Sequence, residues 1–249
     1  MLDEISVFGL DLKTFGIFFA LNFVAWGAMA ARRFRELGKP EDYAYELVFA
    51  ALGGGVVGAK LYWAVENGEL DVSGLLSGSG LTWYGGLLGG AISVIAWAKW
   101  RGVFTPRLLD IAAIGLPLGY AVGRIGCQIS GDGDYGEPSD LPWAMGYEDG
   151  VVPTAPGVEV HPTPLYEAVS MGLVALVLWR LRDSLRPGAL FAIYLVAGGV
   201  ERFLVEFVRR NEATIAGLTT AQVISLAMVV AGAAWLTAAR STLRPATAG

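Results

Sequence analysis

The chain has 249 residues, 54% of them hydrophobic and 16% charged, with a net charge of −5 and a mean hydropathy of +0.52. A soluble domain carries about 25% charged residues and at roughly 250 residues still leaves about a quarter of its surface exposed, so this composition excludes a soluble globule, a disordered chain and, with its negative charge, a binder of nucleic-acid backbones. Cys127 and His161 each stand alone in the sequence, which excludes an internal disulfide, a cysteine cage and a multi-histidine metal site and leaves a polytopic membrane protein.

A transmembrane helix needs about 20 mostly apolar residues, and seven windows qualify, near 12–31, 44–64, 81–99, 107–129, 164–180, 188–208 and 219–238. The first carries a cleavage look-alike, Ala28-Met29-Ala30. Its positive charges Arg32, Arg33 and Arg35 follow the apolar run instead of preceding it, unlike a signal peptide, so it reads as a retained helix. Gly53-Gly54-Gly55 falls inside the second window, where small residues serve helix packing better than phosphate binding. Thr105-Pro106 and Thr163-Pro164 read as N-caps followed by proline at the first helical position. Between windows four and five runs the one long loop, 130–162, rich in Gly, Asp and Pro, and long loops are often functional.

The loops alternate in charge. Loops 32–43, 99–107 and 180–187 and the C-terminal tail hold Lys and Arg, whereas 66–80 and 130–162 hold none. Basic loops stay cytoplasmic, so the expected fold is an all-α membrane protein with seven transmembrane helices over a single domain, 1–249. The N-terminus lies outside, the C-terminus in the cytoplasm and the long loop outside. Arg209 and Arg210 break the rule, because loop 208–218 falls outside.

Charges within the apolar windows are costly, at least about 2.5–3.5 kcal/mol each at mid-membrane. Lys60, Asp110, Arg124, Glu167, Glu201, Arg202 and Glu206 all fall there. Lys60 and Glu167 lie near window ends, where snorkelling or dipole balance competes with function. Asp110 sits in a first helical turn, where dipole compensation is the expected role. Arg202, Glu206 and Arg209 share one helix face. With Arg124 they form either a buried ion pair that fixes packing or a phosphate site, since guanidinium presents a planar fork that matches phosphate oxygens.

Four blocks carry a family resemblance: Trp83-Tyr84-Gly85-Gly86; Gly123-Arg124-Ile125-Gly126-Cys127-Gln128-Ile129-Ser130-Gly131-Asp132 with Tyr135-Gly136 and Asp140-Leu141-Pro142-Trp143; His161-Pro162-Thr163-Pro164-Leu165-Tyr166-Glu167; and Glu201-Arg202-Phe203-Leu204-Val205-Glu206-Phe207-Val208-Arg209. In this order the chain resembles the prolipoprotein diacylglyceryl transferase family. The resemblance implies a multi-pass enzyme of the bacterial plasma (inner) membrane that moves a diacylglyceryl group from phosphatidylglycerol to the lipobox cysteine of a prolipoprotein, without cofactor or metal. It implies Tyr84, Arg124, Asp132, Arg202 and Glu206 as catalytic candidates. Arg124, Gly126, Cys127, Gly136, His161 and Tyr166 are implied as substrate-binding residues.

The sequence departs from the family pattern at four places. Tyr84 replaces a histidine, Cys127 an asparagine, Asp132 a glutamate and Gly198 a tyrosine, and the loop after Arg124 is one residue longer. A phenol of pKa about 10 stays protonated at neutral pH, so Tyr84 can donate a hydrogen bond but not act as a base; Asp132, Asp134 or His161 would supply one. Cys127 also reads as a small packing residue, His161 as a structural hydrogen-bonder and Asp132 and Asp134 as turn formers. The alternatives are a divergent paralogue acting on another acceptor, or a small anion transporter using Arg124 and Arg202.

Overall fold

The computed structural model describes residues 1–7, 10–68, 82–214 and 216–238, and within them the side chains of all but residues 7, 10, 83 and 84. Each of the seven apolar windows holds a long helix. These are α1 (Thr14–Glu36), α2 (Asp42–Asn67), α3 (Trp83–Trp100), α4 (Pro106–Ser130), α5 (Thr163–Leu181), α6 (Ala189–Val205) and α7 (Thr220–Ala238). Five of them, α1, α2, α4, α5 and α7, are long and apolar enough to cross a membrane. Glycines and tryptophans dilute the hydropathy of α3. The 17 residues of α6 run on into one 3-10 turn, Glu206–Val208. The chain forms two compact units, residues 27–108 and residues 1–26 with 109–249.

In the unit of residues 27–108, α2 and α3 meet along small residues. A side chain on Gly58 would collide with the backbone of Gly85 and Gly89, and one on Gly54 with Ser93. Of the Gly53-Gly54-Gly55 run, Gly54 alone has the expected packing role, since only bare backbone allows its approach to α3, whereas Gly53 meets nothing within 4 Å and Gly55 makes an ordinary contact. Glu46 on α2 accepts from Trp97 Nε1 at 2.7 Å and from Arg101 Nε at 2.7 Å, tying the two helices at one end. Lys60 lies over the Trp63 ring at 5.3 Å.

The other unit begins with a feature the helix windows do not announce, an antiparallel hairpin of β1 (Glu4–Val7) and β2 (Leu10–Lys13), with Glu4 opposite Lys13 and Ile5 opposite Leu12. Polar and apolar residues alternate along both strands, the period of a strand. Leu2 N donates to Ile129 O at 2.9 Å, which joins the hairpin to the end of α4. Close approaches of Gly126 to Phe18 and of Gly119 to Asn22 pack α4 against α1, and Gly199 and Gly232 let α6 and α7 touch.

One expectation for a helix end changes. Thr163 is the first residue of α5, not its cap, which is Pro162. Its hydroxyl instead donates to Asp134 O at 2.6 Å. Asp110 accepts from Gly188 N at 2.7 Å and Phe191 N at 3.1 Å, so it satisfies free N–H groups opening α6, a role across helices that its place in the sequence does not announce.

Loop 131–162 is compact. Tyr135 and Tyr147 stack at 4.8 Å and bury Val160 with them. Single bridges pair Pro138 and Met145 with Val160, and Gly136 with Arg209.

Candidate active site

Six charged side chains converge where α4, α5 and α6 approach the long loop. Arg124 lies nearly two turns before the end of α4, Glu167 in the first turn and a half of α5, Arg202 in the last turn of α6 and Glu206 in the following 3-10 turn. Arg209 follows that turn and is held by its bridge to Gly136. Asp134 comes from the loop, directly after Gly133, whose φ of 94° suits glycine.

Glu167 is the hub. Its side chain is fully buried and faces all three arginines: Arg124 Nε lies 2.8 Å from Oε2, Arg202 Nη1 2.9 Å from Oε1 and Arg209 Nη1 3.3 Å from Oε2. Tyr120, one turn before Arg124, completes the arrangement. Its hydroxyl donates to Glu167 Oε1 at 2.8 Å and accepts from Arg124 Nη2 at 2.8 Å. The Arg124 guanidinium also lies 4.8 Å from the Tyr120 ring centroid, a favourable placement for a cation.

Asp134 bridges the other side. Arg209 Nη2 donates to Oδ1 at 2.6 Å, and Arg124 Nη1 pairs with Oδ2. Burial pushes the Asp134 carboxyl up, but the Arg124 and Arg209 guanidiniums outweigh it and hold it below the usual carboxylate range. Glu206 accepts from Thr219 Oγ1 at 2.7 Å and Asn211 Nδ2 at 2.8 Å, and pairs with Arg202 Nη2 at 2.6 Å. Three guanidiniums thus face three carboxylates, and the formal charges of these six groups cancel. Burial of so many charges is tolerated only because each is paired.

Arg124, Arg202 and Glu206 therefore come together as the sequence suggests, and Glu206 holds Arg202. Cys127 is buried with its Sγ 3.8 Å from Arg124 Nη1, while Asp132 Oδ1 accepts from Asp134 N at 3.3 Å in the adjoining turn. Gly126 is a close contact with Phe18, and Gly136 is pressed against Val208 O, Thr163 and His161; both sites demand the absence of a side chain. His161 and Tyr166 form a separate group, with His161 Nδ1 3.4 Å from Tyr166 Oη, which accepts from Trp143 Nε1 at 2.8 Å. The Tyr84 backbone opens α3, and its side chain lies outside the described residues.

The hub itself escapes a sequence reading that leaves Glu167 between interface and function. Tyr120 also escapes it, although its place four residues before Arg124 on one helix face was the available signal. Chemically, the arrangement can bind an anion through planar forks and can stabilise charge developing on a leaving oxygen.

A family model described as prolipoprotein diacylglyceryl transferase matches residues 4–238. A phosphatidylglycerol--prolipoprotein diacylglyceryl transferase of Clostridium tetani is 31% identical over 91% of this chain and 93% of its own length. Proteins of the same name from Finegoldia magna, 30% identical over 91% of each chain, and Methylococcus capsulatus, 34% identical over 96% of this chain and 95% of its own, are similar along the same stretch.

Proposed function

This chain belongs to the prolipoprotein diacylglyceryl transferase family, and from that premise we propose that it transfers the diacylglyceryl group of phosphatidylglycerol to the cysteine thiol of a prolipoprotein. The observation that carries the proposal at the level of residues is the convergence of Arg124, Arg202 and Arg209 on Glu167.

The acceptor sulfur attacks the glycerol carbon that carries the phosphate. A C–S bond forms, the C–O bond breaks, and its electron pair leaves on oxygen as glycerol phosphate. A thiol of pKa about 8.5 is only a few per cent thiolate at neutral pH, so the thiol proton must pass to a base, for which Asp132 and His161 are the candidates, Asp134 being made a weaker base by Arg124 and Arg209. Guanidinium forks at Arg124 and Arg202 hold the phosphate and offset its growing charge, with Glu206 positioning Arg202. Tyr84, whose side chain lies outside the described residues, is a candidate hydrogen-bond donor on the family resemblance alone. Cys127, Gly126 and Gly136 shape the wall, and His161 and Tyr166 face the headgroup or the peptide.

The chain is read as a single polytopic domain of seven spans in the bacterial plasma membrane, with loop 130–162 outside. The charge asymmetry of the loops supports that orientation, which puts Arg124 near the outer leaflet. The test is mass spectrometry of a lipobox peptide incubated with the purified protein and phosphatidylglycerol. A gain of one diacylglyceryl group on the cysteine, with glycerol phosphate released, is the expected result; an unchanged peptide beside an active relative would refute the reading.

A further inference from the structure

The six groups carry no net charge, and each of the three guanidiniums already faces a carboxylate; Arg210, which donates to Gly133 O and lies over the Tyr135 ring, stands outside this set. A phosphodiester that is to reach Arg124, Arg202 or Arg209 directly competes with a carboxylate already there. The three carboxylates are not held equally. Glu167 is fully buried and gripped by three guanidiniums and the Tyr120 hydroxyl. Glu206 is fully buried and gripped by Arg202, Thr219 and Asn211. Asp134 has a side chain 34% exposed, and its carboxylate accepts from Arg124 and Arg209 alone among the described residues. Its backbone is fixed separately, through Thr163 Oγ1 on its carbonyl at 2.6 Å, so the side chain can turn without moving the loop.

The way Asp134 is held also resembles the way a phosphodiester would be. One oxygen meets Arg124 and the other meets Arg209, as the two non-bridging oxygens of a phosphodiester would. We infer that the Asp134 carboxylate occupies the subsite for the phosphate of an anionic glycerolipid, and that the lipid binds by displacing it from Arg124 and Arg209. This rests on the function proposed above and adds Arg209 to the phosphate-binding set. It gives Asp134 two consequences at once. It keeps the arginines compensated before the lipid arrives, and it lowers apparent lipid affinity, because only molecules with Asp134 swung away can bind.

The experiment measures binding without acceptor peptide, so it does not depend on turnover. Purified full-length protein in detergent is titrated with dihexanoylphosphatidylglycerol and, separately, with sn-glycerol 1-phosphate. Asp134→Asn and the smaller Asp134→Ser remove the charge, while Asp134→Glu keeps a carboxylate in reach of both arginines. The neutral variants should bind the lipid about fivefold or more tightly than the wild type, and the Glu variant should stay near it. Unchanged or weaker lipid affinity in either neutral variant, recovered folded, overturns the inference. Tightening confined to glycerol phosphate also overturns it, because the subsite would then not be a lipid site. Tighter lipid binding combined with no diacylglyceryl transfer by the wild type would sustain the subsite and refute the proposed reaction instead.

Discussion

Arg202 Nη1 donates to Glu167 Oε1 at 2.9 Å, joining α6 to α5 through groups 35 residues apart in the chain. That bond belongs to a network in which Glu167 and Asp134 compensate arginines from other segments, while Glu206 pairs with Arg202 one turn before it. Glu167→Gln should leave three buried guanidiniums facing two carboxylates, at a cost of about 3–5 kcal/mol. Thermal unfolding in detergent reads the loss. An unfolding midpoint equal to wild type would mean that solvent replaces Glu167 and that the site is wetter than its burial indicates.

Arg202 reaches Glu167 with one terminal nitrogen and Glu206 with the other. A lysine ammonium is a single point and cannot span both while also facing a phosphate. Arg202→Lys should therefore lose nearly as much transfer rate as Arg202→Ala, about 10²–10³-fold. Initial rates with equal amounts of folded protein make the comparison. A lysine variant within a few fold of wild type would reduce the role of Arg202 to charge alone.

The basic loops fix the orientation expected for the chain. In a Cys127→Ser background, a cysteine introduced at Asp149, an exposed loop position, should react with an impermeant maleimide added to intact cells. One introduced at Ser184, exposed between α5 and α6, should not react until the membrane is broken. Reversed labelling would put the arginine site on the cytoplasmic side and exclude a reaction with translocated prolipoproteins.

Tyr84 stands where the family carries a histidine. If its hydroxyl donates to the substrate, Tyr84→Phe should lose most of the transfer rate with little change in yield or unfolding temperature, while Tyr84→His should retain activity. Rates for the three proteins at several pH values decide this. A Phe variant as fast as wild type assigns Tyr84 to packing.

The helices were legible because their driving force is local. Runs of apolar residues bounded by Thr105-Pro106, Thr163-Pro164 and the basic loops locate all seven within a few residues of the observed ends. Close glycine packing between α2 and α3 was legible for the same reason. The site was legible in half. Arg124, Arg202 and Glu206 stand out because a charge in an apolar run needs an explanation, and two of them share a helix face. Glu167 did not stand out, because one turn into a helix a carboxylate is equally at home in water. Only the burial of its position shows that it is the hub. Asp134 and Arg209 were ambiguous for a related reason: each lies outside a helix, so their convergence depends on the bridge between Gly136 and Arg209, a long-range pairing with no local signature. The bonds of Asp110 to the start of α6 have no sequence signature, since spacing reports the helix a residue sits in and not the one it reaches.

The dispersal of the network along the chain bears on how the protein is made. At about 5–20 residues per second, the ribosome delivers Glu167 roughly 2–9 s after Arg124, and Arg202 roughly 4–16 s after it. During that interval α4 carries a permanently charged guanidinium whose hub acceptor does not yet exist. Asp134, ten residues on, is the first carboxylate made that Arg124 pairs with, and Glu167 joins it once α5 has been made. The last arginines, from α6 and the turn beyond it, then close the site. Synthesis therefore imposes an order that the finished fold does not display: Arg124 meets its carboxylates Asp134 and Glu167 first, and the site is complete only when Arg202, Glu206 and Arg209 have followed.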